Sequence, residues 1–299
     1  MAVNDVSLTS AMRSNLLSLQ QTSTMMGKTQ TRLSTGYKVN SPIDDPLKYF
    51  TALGERNRAS DLTGLKDGMS EAIQTVQAAQ NGVQGITDLL NQAKSLAQSA
   101  LSQGTTGTDV TSNVSNLASQ FDEILRQIDS MSKNSSYKGV NLLESTSVHL
   151  TVQFDEKSVS TTSHNYLQMD GFAATSGGLN IGRAVSADTG VGTTSAVVWS
   201  DVTSVSSTAI QSSIDQIGSA LTTLRNNTST LASNLSVITI RQDFTNNMIN
   251  TLQTGADNLT LADTNEEGAK MLMLQTRQSL GTTSLSLASQ AAQAVLRLF

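Results

Sequence analysis

The sequence predicts a mostly α fold: an elongated antiparallel bundle of long, coiled-coil-like helices with a small β-rich region, plus N- and C-terminal helices that pair into an inner coiled-coil domain. Three observations predict it. Apolar residues recur in alternating steps of three and four over very long stretches, the mark of a narrow helical seam. Both chain ends carry such a pattern with few acidic residues, although ends ordinarily fray because little apolar surface holds them. Between residues 139 and 205 the period changes from helical to alternating, which marks short strands.

The first long seam runs Leu62, Leu65, Met69, Ala72, Val76, Ala79, Val83, Ile86, Leu90, Ala93, Ala97 and Ala100 without a fault. A helix covering it is about 58 Å long at 1.5 Å per residue. Gly64, Gly68, Gly82 and Gly85 lie off this seam, either as tolerated surface glycines or as places where a neighbouring backbone approaches closely. A second seam, Val110, Val114, Leu117, Phe121, Ile124, Ile128 and Met131, follows a turn at Gly104-Thr-Thr-Gly107, so the two helices form a hairpin. The third runs Ile210, Ile214, Ile217, Leu221, Leu224, Thr228, Leu231, Leu235 and Ile238, and resumes at Ile249 and Leu252 after polar Gln242 and Thr245. It has the length to lie along the first, which gives a bundle.

At the N-terminal end Met12, Leu19, Met26 and Leu33 recur every seven residues, with Leu16 beside them. Residues 271–299 carry only Arg277 and Arg297 as charges, and Ala288, Ala291, Ala292, Val295, Leu298 and Phe299 form a helical stripe there, with Leu280 and Leu287 upstream. Two apolar ends need partners, so they are expected to pack on each other and on further molecules. Ser41-Pro42-Ile43-Asp44 reads as a capping box with Pro at the first helical position, and Asp45-Pro46 repeats the device. Asp263 to Glu266 reads as another helix start. The expected organisation is therefore residues 1–42 and 261–299 as the two halves of one terminal coiled coil, which the family resemblance given below makes the inner domain, and 43–172 and 208–260 as the core bundle. Residues 173–207, rich in Ser, Thr, Gly and Ala, are expected as an exposed loop or a minimal outer projection. Val148, Leu150, Val152 and Phe154 alternate with polar neighbours as a half-buried strand does, and Ser195-Ala-Val-Val-Trp199 is a short apolar run.

Composition bounds the function. A net charge of −5 offers no basic patch to replace phosphate counterions, so nucleic acid is not an expected partner. The chain has no cysteine, which excludes disulfides, thiolate metal sites and cysteine nucleophiles. No stretch of 18 apolar residues suggests a membrane span. The start lacks the features of a cleaved secretory signal, so either the protein stays in the cytoplasm or it leaves by another route. His149 and His164 stand fifteen residues apart with no metal-site spacing, and read as ordinary surface or strand-edge histidines. Gly178 to Gly182 is not followed by the Lys-Ser/Thr of a phosphate loop, and Asp44 and Asp45 are better explained by helix capping than by acid chemistry. No catalytic, cofactor or metal site is expected.

Several motifs then resemble one family in order along the chain. Gln30-Thr-Arg-Leu-Ser-Thr-Gly-Tyr-Lys-Val-Asn-Ser-Pro-Ile-Asp-Asp45, Tyr137-Lys-Gly-Val-Asn-Leu-Leu143, Asp170-Gly-Phe172, and the run from Ala262-Asp263 through Glu266-Glu267, Leu274-Gln275, Gln278, Gly281, Ala288-Ser-Gln290 and Val295-Leu296 resemble bacterial flagellin. The resemblance covers nearly everything outside about 173–207. It implies a subunit that polymerises into the flagellar filament used for swimming, with paired terminal helices inside and long-helix bundles around them. A small outer region implies a minimal flagellin. It also implies export through the flagellar type III apparatus, a cytoplasmic chaperone for the C-terminal helix, and contacts with filament cap and hook-filament junction proteins. The family stretch contacted by an animal Toll-like receptor resembles Leu90 to Leu96, but Gln92 and Ser95 replace charged family positions while Leu96 remains, which implies weak or absent receptor recognition. Two alternatives share part of this pattern: a hook-filament junction protein, and an adhesin or carbohydrate-binding module using residues 145–207.

Overall fold

The computed structural model describes residues 10–157, 165–185, 197–200 and 204–296. Five helices, α1 (Ser10–Thr35), α2 (Pro46–Ser102), α3 (Thr108–Asn134), α4 (Ser207–Thr260) and α5 (Thr264–Leu296), are accompanied by two strands, β1 (His149–Gln153) and β2 (Tyr166–Asp170). The chain divides into two compact units, residues 60–249 and residues 1–59 with 250–299. The divisions fall inside helices α2 and α4.

Within residues 60–249 a continuous core joins the three long helices. On α2, Leu62, Met69, Ala72, Val76, Ala79, Val83, Ile86, Leu90, Ala93, Ala97 and Ala100 are buried, while Leu65 is half-buried. On α4 burial alternates: Ile210, Ile217, Leu224, Leu231 and Ile238 are buried, with Ile214, Leu221, Thr228 and Leu235 half-buried between them. Leu101 lies by Ser207 and Gln211 at one end and Gln242 Nε2 donates to Ser70 Oγ at 2.7 Å at the other, so α2 and α4 run antiparallel. The polar interruption at Gln242 is thus a partnered step in the seam, and Thr245 beside it is buried.

Helix α3 departs from a single seam. Val114, Phe121, Ile124 and Ile128 are buried, but so are Ala118, Asp122, Leu125 and Ser132 on an adjoining stripe. That second stripe exists because α3 also receives the segment after β2. The turn before α3 uses Gly104 at φ 93° and Gly107 at φ 124°, conformations that only glycine adopts without strain. Beyond α3, Asn141 Nδ2 donates to the carbonyls of Ser132 and Lys133, and Ser132 Oγ donates to the Leu143 carbonyl, so the helix end is satisfied by the loop that follows. Gly82 and Gly85 of α2 face this region: a Cβ on Gly82 meets Ser135 and Leu143, and one on Gly85 meets Met131. These two are close-approach glycines. Gly64 and Gly68 have nothing within 4 Å and are surface glycines.

The strands pair antiparallel with His149 opposite Asp170 and Val152 opposite Leu167. Val152 and Met169 point into the core, and the Arg241 guanidinium of α4 lies 5.3 Å from the Phe154 ring centroid.

The described part of 173–207, read from the sequence as an exposed loop or a minimal outer projection, carries a set of buried residues. Ala174, Ser176, Leu179, Ile181, Ala184, Trp199 and Val205 are buried. Two carboxylates of α3, one heptad apart, hold the segment. Asp122 accepts from the backbone N–H groups of Ala184 and Val185 at 2.7 and 3.0 Å, and Asp129 from the N–H and hydroxyl of Ser176 at 2.6 and 3.0 Å. Trp199 packs on Phe121 with ring centroids 4.7 Å apart and planes tilted by 49°, and donates its indole N–H to Ser213 Oγ at 2.9 Å. Residues 197–199 form no strand. Ser195 and His164 lie outside the described residues.

Candidate self-assembly site

The terminal helices α1 and α5 pair antiparallel. Leu19 lies beside Gly281, and Arg32 Nη1 reaches Glu267 Oε1 at 3.2 Å further along. The starts and stops of these helices come from local chemistry. Helix α1 ends at Gly36, with φ 74°, whose N–H bonds to the Arg32 carbonyl. Asp263 caps α5 by accepting from the N–H groups of Asn265 and Glu266 at 2.8 and 3.3 Å. Helix α2 begins at Pro46, with Asp45 accepting from the Lys48 N–H at 3.1 Å.

Of the two capping devices near residue 42, the second therefore starts the helix and the first does not. Ser41-Pro42-Ile43-Asp44 is a turn in which Asp44 Oδ2 accepts from the N–H groups of Asn40 and Ser41. Those amide donors, together with Lys28, hold the Asp44 carboxyl below its ordinary range despite some desolvation. The Lys48 ammonium does the same for Asp45.

The two breaks lie side by side. Tyr37 bridges Leu261, the N–H groups of Lys38 and Val39 donate to the Thr260 carbonyl, and Ala262 N–H donates to the Gly36 carbonyl. Arg56 adds a fastening, its Nη2 donating to Asp257 at 3.2 Å and Thr260 at 3.0 Å. Nothing in the sequence pattern announces this pairing of linkers, because it is made by backbone groups.

The seam of α1 is more polar than its heptad leucines and methionines suggest. Met12, Leu19 and Met26 are half-buried, but the buried residues are Thr22 and Thr29. Thr22 satisfies its hydroxyl on the Ser18 carbonyl at 2.8 Å. Leu16 is 41% exposed and Leu33 37%. On α5 the face toward α1 follows heptad steps through Glu267, Met271, Leu274, Gln278, Gly281, Leu285 and Ala288. Leu280 and Leu287 are not on it: with Met273, seven residues earlier, they stand 67%, 61% and 61% exposed. Ala291 is exposed as well. Leu298, Phe299 and the side chain of Val295 lie outside the described residues.

The sequence reading missed the charge in this pair. Glu267 is only 4% exposed, and Lys270 sits between Glu266 and Glu267 at 2.7 and 3.3 Å. Burial pushes the Glu267 carboxyl up, but Lys270 and Arg32 together outweigh it and hold the group below its ordinary range. The signal was available as Glu267 falling on the α5 heptad frame, one turn from the cap.

In the bundle, Gln92 and Ser95 of α2 are exposed and Leu96 is half-buried against the core. His149 Nδ1 lies 2.7 Å from Asp170 Oδ1, a cross-strand pair at the sheet surface. Among the described residues, no cluster of three His, Cys, Asp or Glu residues is placed to hold a metal, and no helix is long and apolar enough to cross a membrane.

Comparison with known proteins identifies the family. Residues 3–147 match the bacterial flagellin N-terminal helical region, and residues 214–299 match the bacterial flagellin C-terminal helical region. The chain is 27% identical to Flagellin FljM and 28% identical to Flagellin FljK of Caulobacter vibrioides, in each case over 299 residues covering 100% of both chains. It is 25% identical over 296 residues to Flagellin C of Rhizobium meliloti, covering 91% of each chain. Two family regions bracketing the chain, full-length relatives and a paired set of terminal helices lead to one conclusion: this protein belongs to the bacterial flagellin family, the structural subunits of the flagellar filament.

Proposed function

We propose that this chain polymerises by burying the outward faces of its paired terminal helices against other copies. The observation that carries this is the second apolar stripe of α5. Met273, Leu280 and Leu287 stand seven residues apart and largely exposed, on a helix whose other heptad face is already used by α1. A helix with two seams has two partners. Leu16, Leu17 and Met25 are exposed on α1 as well. Pairing α1 with α5 buries two threonines and a carboxylate as well as apolar residues, so its intrinsic gain is modest. Neighbouring copies supply the rest of the burial, which makes ordering the ends and assembling them one linked event.

Before assembly these faces need protection, because exposed apolar stripes promote aggregation. A cytoplasmic chaperone on α5, followed by export through the flagellar type III apparatus to the cap, meets that need. At the filament base the same helices would meet the junction proteins. Gln92 and Ser95 offer no charge to an animal Toll-like receptor, so recognition there is weak or absent.

The test is electron microscopy of purified protein after seeded, salt-induced assembly. Wild-type protein is expected to give long filaments, and the double variant Leu280→Asp, Leu287→Asp none, while its bundle helicity is retained. Normal filaments from the variant would refute the two-seam account. Wild-type protein that never elongates seeds would favour a junction role instead.

A further inference from the structure

Two further surfaces, made by neither α1 nor α5, are exposed among the described residues. On α4, Val237, Ile240 and Phe244 share one face at spacings of three and four, and are 39%, 65% and 56% exposed. Asp243 flanks Phe244 on this knob and makes no ion pair among the described residues. The other surface is a socket of about 210 Å³ at the start of α2, walled by Tyr37, Tyr49, Leu53 and Arg56. Leu47 and Phe50 are exposed on the same helix, Phe50 meeting the lining residue Tyr49 edge-on at 5.5 Å.

We propose that the Val237–Ile240–Phe244 knob of one copy docks in the Tyr37–Tyr49–Leu53–Arg56 socket of another, giving the filament a contact independent of α1 and α5. This rests on the filament-subunit reading above.

Three physical points select a second copy as the occupant. A filament requires a heterologous contact, in which one surface meets a different surface and the chain of contacts never closes. The knob and the socket are two such surfaces on the same molecule. The socket is smaller than the roughly 300 Å³ at which small-molecule sites begin, so it suits an inserted side chain rather than a free ligand. Its walls of tyrosine and arginine are the residue types that dominate binding hot spots.

Charge also matches. The Arg56 guanidinium lies 5.4 Å from the Tyr37 ring centroid and donates to Asp257 and Thr260 through Nη2, so its Nε and Nη1 edge can meet the acidic flank of the knob at Asp243. A carboxylate delivered beside a half-exposed guanidinium fixes the register of docking more than its strength.

The absence of cysteine makes a direct test possible. Leu53→Cys and Phe244→Cys are prepared separately, co-assembled with excess wild-type protein so that neither substitution must support a filament alone, and treated with a short thiol-reactive crosslinker. Crosslinked dimers are expected only in filaments containing both variants. Filaments that contain both and yield no dimer, or dimers from Phe244→Cys alone, would overturn the contact. In parallel, Phe244→Ala is expected to elongate wild-type seeds roughly tenfold more slowly or worse, as loss of a hot-spot aromatic implies. An unchanged rate would also overturn it. Failure of wild-type protein to form any filament would instead remove the reading on which the contact rests.

Discussion

A Cβ placed on Gly281 would lie 2.6 Å from Cδ2 of Leu19, so the leucine of α1 packs into a notch that only glycine leaves open on α5. Replacing Gly281 with Val is expected to force the two terminal helices apart, since a branched side chain adds bulk beyond the Cβ whose clash with Leu19 outweighs the small gain in helix propensity over glycine. Filaments of Gly281→Val should melt well below wild type in light scattering, while the α2 to α4 bundle, followed by its own fluorescence, melts unchanged.

The Arg32–Glu267–Lys270 cluster predicts an acid limb for the terminal pair. The Glu267 carboxyl is held below its ordinary value of 4.5 in the folded state. A depressed carboxyl contributes stability above its unfolded pKa and loses it as pH falls through the folded pKa. Pairing should therefore be fully supported at neutral pH and weaken below about pH 4.5. Glu267→Gln keeps the shape but removes the charge, so it should lower stability at pH 7 and flatten the acid limb. Disassembly of wild-type and variant filaments, followed by scattering from pH 7 downward, measures both.

The α2 glycines separate into opposite responses. Gly64→Ala and Gly68→Ala enter open space in a helix, and each should stabilise by roughly 0.5–1 kcal/mol through helix propensity. Gly82→Ala should destabilise instead, because its methyl would strike Ser135 and Leu143 of the packed loop. Urea unfolding of the four proteins distinguishes the signs directly.

Trp199 is the only tryptophan and is fully buried against Phe121. Its emission should be blue-shifted in the native bundle and move red as the bundle unfolds. Trp199→Phe keeps an aromatic ring but orphans Ser213 Oγ, costing about 1–3 kcal/mol for the buried polar group and lost volume. Trp199→Ala should cost about 3–5 kcal/mol.

Receptor recognition offers a functional readout of α2. With Gln92 and Ser95 exposed and uncharged, monomer applied to reporter cells bearing the Toll-like receptor should give a much weaker response than a flagellin with charged residues at those places. Gln92→Arg with Ser95→Glu should raise it. A full-strength response to wild-type monomer would contradict the reading.

The helices and their narrow seams were legible in the residues, because heptad spacing is local and repeats many times: twelve apolar or small positions from Leu62 to Ala100 leave little else for that stretch to be. The family was legible for a related reason, since its motifs sit at the helix breaks. The roles of Leu280 and Leu287 were less so. Apolar residues on two stripes of one helix look alike in sequence, and only the position of α1 separates the face already covered from the face left open.

By itself, then, the sequence determined which segments are helical, that both ends are apolar, and which family they belong to, all of which depend on spacing along one chain. Tertiary structure alone decided the rest. It placed two threonines and Glu267 inside the terminal pair, joined the linkers at Gly36 and Thr260 through backbone hydrogen bonds, and drew residues 174–184 onto Asp122 and Asp129. These contacts join groups far apart in sequence, through backbone amides and lone carboxylates that leave no periodic trace.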